Sequence, residues 1–126
     1  MTSKIIFGAL AISGMALLPV AALADGPAAI NTAVTHTGLA SNAANIGAVH
    51  THLHHVLNCL VGPGGNGFDA APGNPCAAAG GAIPQTADAA TKAKLESAAT
   101  AVRGGIANED MAAAKKVATD VGAMLK

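Results

Sequence analysis

Hydrophobic and polar positions along this chain change period several times. From Ile5 to Leu18 the residues are almost all apolar and none is charged. From Ile46 the pattern turns periodic: Val49, Leu53, Val56, Leu57 and Leu60 follow Ile46 at the three- and four-residue steps of one helix face. Residues 61–85 lose all period. A third apolar stripe runs through Leu95, Ala98, Val102 and Ile106, with Lys92, Glu96 and Arg103 off it. A fourth runs through Met111, Ala114, Val117, Ala118, Val121 and Leu125.

These patterns predict an all-α fold. Helix is expected from about Ala28 to Leu60, weakened in its first half by Thr35, Thr37 and Gly38, with Ser41 or Asn42 placed to cap a fresh helix. A second helix is expected over Thr86–Arg103, capped by Thr86 and stopped by Gly104-Gly105. A third is expected over Asn108–Lys126, capped by Asn108 and with Glu109 and Asp110 at its positive end. Few residues separate the last two helices, so they should form an antiparallel hairpin. The Gly- and Pro-rich residues 61–85 predict a long loop without a regular element, anchored by Phe68 and Ile83. The expected architecture is a small up-and-down three- or four-helix bundle, with a homodimer as one way to complete its core.

The N-terminal run has the grammar of a secretory signal. Lys4 precedes it, Pro19 breaks it, and Ala22-Leu23-Ala24 presents small residues for cleavage. The run is shorter than the ~20 residues of a membrane span. Residues 1–24 are therefore expected to be removed, leaving residues 25–126 as one helical domain, periplasmic or secreted and without membrane insertion.

Composition sharpens this picture. Hydrophobic residues make up 52% of the 126, but beyond the signal most of them are alanine, which favours helix and buries little area. Phe68 is the one aromatic residue after the signal, and the chain has no Trp or Tyr. So thin a core calls for a staple. Cys59 and Cys76 are the two cysteines, and in an exported chain they should form a disulfide. By chain entropy, closing that loop stabilises the fold by roughly 3 kcal/mol. The formal charge is zero, with acidic and basic residues interspersed. Without a basic patch, nucleic-acid binding has no support.

All five histidines lie between His36 and His55, four of them in the run His50-Thr51-His52-Leu53-His54-His55. On a helix, His50 and His54 stand one turn apart within about 40° and form a pair suited to chelating a metal ion. His52 and His55 lie within about 60° of each other on another side, and Cys59 continues that face. With Cys76 they have the composition of a Cys2His2 zinc site, which competes with the disulfide reading. His36 shares the angle of His50 and His54 but lies roughly 21 Å from His50 along a continuous helix. It becomes their third ligand if the chain folds back near Gly38. Asp69 is a candidate to orient a histidine ring, and Asn58 to anchor the returning loop.

Neutral imidazole suits copper, zinc and nickel. The expected function is therefore that of an exported metal-binding protein that buffers, delivers or senses such an ion through His36, His50, His52, His54 and His55. Two alternatives stand beside it. One is a non-covalent haem protein, since no Cys-x-x-Cys-His motif for covalent attachment is present. The other is an interaction module with pH-sensitive histidines. No phosphate-binding loop, dinucleotide fingerprint or nucleophile elbow occurs, so the chain is not expected to be an enzyme. Residues 50–59 resemble the histidine-rich stretches of small periplasmic metal-binding helical proteins. Those often spread histidines through repeats that this chain lacks, and no residue role is carried over.

Overall fold

The structure is a computed structural model that describes residues 26–126; the expected signal, residues 1–24, lies outside the described residues. The described chain is helical, in the order α1 (Gly26–Asn42), α2 (Ile46–Val61), α3 (Ala82–Gln85), α4 (Ala89–Ile106) and α5 (Met111–Met124), with no strand among the described residues.

Helix α1 runs unbroken through its threonines and Gly38. The hydroxyls of Thr32, Thr35 and Thr37 donate to the carbonyls of Ala28, Asn31 and Val34 at 3.0, 3.1 and 2.7 Å, so they are satisfied within the helix. The chain runs through Gly38 and turns at Ala43–Asn45. The cap of the next helix is Asn45 rather than Ser41 or Asn42: its backbone is extended and its side chain accepts from the Ala48 amide at 2.9 Å. Likewise Asp88 and Asp110, not Thr86 and Asn108, cap α4 and α5, each accepting a backbone amide of the first turn at 2.7 Å. A carboxylate at these positions also meets the positive helix end. Gly104-Gly105 does not stop α4, which continues to Ile106.

Helix α2 is the hub. Val49, Leu53, Val56, Leu57 and Leu60 are buried on it, and it packs on α1, α4 and α5. Helix α1 packs on α2 and α5, and α4 packs on the same two helices. Small residues let these helices approach closely. Ala29, Ala33 and Ala40 form the buried face of α1. A Cβ on Gly122 of α5 would lie 2.7 Å from the Thr37 hydroxyl, and one on Gly105 of α4 would lie 2.9 Å from Val117 and 3.0 Å from Leu53. Of the expected α5 stripe, Ala114, Ala118, Val121 and Leu125 are buried, but Met111 stays 38% exposed. It is the first residue of the helix, and helical side chains lean toward the N-terminus, past the helix end.

Between α2 and α3 the chain is a series of turns, and α3 is one short helical turn inside the stretch expected to be irregular. Gly62 ends α2 at φ +70°, and a Cβ there would meet the Gly81 backbone at 2.9 Å, so two glycines let the two ends of this segment approach closely. Ala82 and Ile83 pack on the core, and Phe68 is half-buried. Cys59 and Cys76 form the disulfide, with Cα atoms 5.1 Å apart. A disulfide suggests an oxidising extracellular environment. No helix among the described residues is long and apolar enough to cross a membrane.

Candidate metal centre

The turn at Ala43–Asn45 decides which histidines meet. It folds α1 back along α2, and His36 and His52 are equidistant in sequence from Ala44. His55, one helical turn beyond His52, falls beside the same ring. The Nδ1 atom of His36 lies 3.2 Å from Nδ1 of His52 and 3.3 Å from Nδ1 of His55. One nitrogen from each ring fits within 4.8 Å of the others. The rings cross at angles, with the His36 and His55 planes 80° apart and their centroids separated by 4.6 Å.

These distances have a direct chemical meaning. Nitrogens bound tetrahedrally at 2.0–2.1 Å from one ion lie about 3.3 Å apart. The two shortest contacts of the triad already match that edge.

Proton placement points the same way. His55 Nε2 lies 2.7 Å from the Pro72 carbonyl, which only accepts, so Nε2–H donates and the neutral ring has a lone pair on Nδ1. The His36 Nδ1 faces both the His52 and the His55 nitrogens. A proton on it satisfies a hydrogen bond toward one neighbour, and the other short contact still lacks an ordinary donor–acceptor pair. An extra proton is disfavoured here. Burial, reinforced by the neighbouring His55 and His52 rings, lowers the pKa of His36 from 6.5 to about 4. Burial and His55 also lower that of His52. Both effects keep the rings neutral, as metal ligation requires.

The loop supports this face of α2. Asn58, fully buried, donates through Nδ2 to the carbonyls of Asp69 and Gly73 at 2.6 and 2.8 Å and accepts from the Asp69 amide at 3.1 Å. It anchors the returning loop, as expected. Asp69 does not orient a histidine: its carboxylate accepts from the Ala71 amide at 2.9 Å and shapes the turn. The group that orients His55 is the Pro72 carbonyl. No sequence signal marks it, because every residue carries such an acceptor.

His50 and His54 are not part of this cluster. His50 Nε2 donates to the Asn108 carbonyl at 2.9 Å and so ties α2 to the α4–α5 link. His54 Nδ1 is buried without a hydrogen-bond partner. His36 joins His52 and His55 instead, because the turn interrupts the helix and a shared helical angle has no meaning across it. Cys59 and Cys76 are bonded to each other, which closes the Cys2His2 alternative. Comparison of the chain with protein-family models, with curated proteins and with solved structures gives no match.

Proposed function

We propose that this chain is an exported, non-catalytic metal-binding protein whose His36–His52–His55 triad holds one transition-metal ion for buffering, delivery or sensing. The observation that carries this reading is the convergence of Nδ1 atoms at 3.2 and 3.3 Å, the spacing of neighbouring ligands around a tetrahedral ion. Three neutral imidazoles suit zinc, copper or nickel, and the tetrahedral spacing favours zinc among them. Haem fits less well: its axial ligands approach from opposite faces of the macrocycle, and nitrogens this close leave no room for a porphyrin between them. The helix packing is read as an up-and-down four-helix bundle that presents the triad on its α1–α2 face. The signal-like sequence of residues 1–24 and the disulfide support export.

Native mass spectrometry and calorimetric titration of the disulfide-intact chain with zinc, copper(II) and nickel test the reading. One ion per chain is expected, lost in His36→Ala, His52→Ala and His55→Ala and retained in His50→Ala. Absence of a saturable one-to-one adduct, or an adduct that survives all three triad substitutions, would overturn it.

A further inference from the structure

The carbonyl that orients His55 belongs to a loop that α2 grips at two places close to it. Asn58 grips it at Asp69 and Gly73, and the Cys59–Cys76 bridge grips it just beyond. Pro72 lies between these grips and is aimed at His55 Nε2. The fit is close, since a Cβ on Gly73 would lie 3.4 Å from the same nitrogen. Asn58 and Cys59 sit one helical turn beyond His55 on α2. Gripping the loop and setting the ring are therefore one local structure.

We propose that closure of the Cys59–Cys76 disulfide completes the histidine triad, so that the oxidised chain binds its ion tightly and a chain without the bridge binds it weakly. This rests on the triad being a metal site. Without the bridge the loop regains conformational freedom, Asn58 alone ties it to α2, and the Pro72 carbonyl is held less firmly. His55 then populates the tautomer with a proton on Nδ1, where the ion needs a lone pair. Loss of such an orienting partner weakens metal binding by 10–100-fold.

The oxidant required is a disulfide, on a protein or a small molecule. One cysteine thiolate of this chain attacks a sulfur of that disulfide and forms a mixed disulfide, releasing the oxidant's other sulfur as a thiolate. The second cysteine thiolate attacks the first cysteine's sulfur, closes Cys59–Cys76 and expels the oxidant's remaining thiolate. Two electrons pass to the oxidant, whose two sulfurs leave as thiols, and the two cysteine protons pass through solvent to them. Cys59 and Cys76 are 0% and 1% exposed once the chain is packed. The bridge is thus shielded from later reduction, and the dependence acts as a gate during assembly: oxidation first, metal second.

The test compares the disulfide-intact chain with Cys59→Ala/Cys76→Ala, which lacks the bridge and introduces no competing thiolate. Cys59→Val/Cys76→Ala is made alongside it to preserve more buried volume. In the metal-free proteins, ring nitrogen chemical shifts report the His55 tautomer, and competition against a chromophoric chelator gives zinc affinity. The intact chain should show a single His55 tautomer protonated on Nε2. The bridgeless variants should show a mixture and bind zinc 10–100-fold more weakly, with helical circular dichroism retained. An unchanged tautomer with affinity within about two-fold overturns the gate and leaves the metal reading standing. Loss of helical structure in both variants also overturns it, because the bridge would then hold the whole fold and not the loop. Failure of the intact chain to bind zinc, copper(II) or nickel overturns the metal reading and the gate with it.

Discussion

Acidifying the metal-free protein from pH 7 to pH 5 should destabilise it chiefly through one ring, His36, with His52 adding in the same direction. His36 titrates near 6.5 in an unfolded chain and at about 4 in the folded one, because burial and the neighbouring His55 and His52 rings disfavour its charged form. Between these values the unfolded chain holds a proton that the folded chain does not. Stability is therefore full above about 6.5 and is lost as the pH falls toward about 4. At pH 5 the difference corresponds to about 2 kcal/mol. The ring is half-exposed, and solvent screening reduces this to about 1 kcal/mol. For a domain of this size the melting temperature should fall by about 4–8 °C. The capping carboxylate of Asp88 is held below its usual range by hydrogen bonding from the Thr91 side chain and then from the Thr91 amide, so it titrates below this window. Melting is followed by helical circular dichroism in the presence of a chelator, since the chain has neither Trp nor Tyr for fluorescence. His36→Ala should flatten the dependence. Equal melting temperatures at the two pH values, or a slope unchanged in His36→Ala, would refute the reasoning.

Other consequences are as direct. Asn58→Ala removes three hydrogen bonds that fix the loop and should cost about 1–3 kcal/mol, read as a lower melting temperature together with faster amide exchange at Asp69. Gly105→Val forces a side chain against Val117 and Leu53 at the α4–α5 and α4–α2 contacts and should cost about 1–3 kcal/mol by chemical denaturation, whereas Gly104→Ala, where a Cβ meets nothing within 4 Å, should be neutral or stabilising. Asp110→Ala removes the cap of α5 and should cost about 1 kcal/mol by thermal melting.

The sequence by itself determined the helices and the staple. Period-3.6 burial needs only local order, so the apolar faces of α2, α4 and α5 were legible in Val49–Leu60, Leu95–Val102 and Ala114–Leu125. The two cysteines admitted only one intrachain pairing, and Asn58 stood out as a polar residue on an apolar helix. Helix ends were less legible, because several polar residues near each end compete for the same amides: Asn45, Asp88 and Asp110 took the caps that Ser41 or Asn42, Thr86 and Asn108 were expected to fill.

The candidate metal centre was decided by the tertiary structure. Helical angle relates residues only along an unbroken helix, so it grouped His36 with His50 and His54. Breaking the helix at Ala43–Asn45 resets that phase, and folding α1 onto α2 replaces distance along an axis with distance across an interface. His36 then meets His52 and His55, His50 turns to the α4–α5 link, and a loop carbonyl from Pro72 fixes the last ring. Residue types recorded which chemistry was available. Only the packing of one helix on another could choose which histidines would share it.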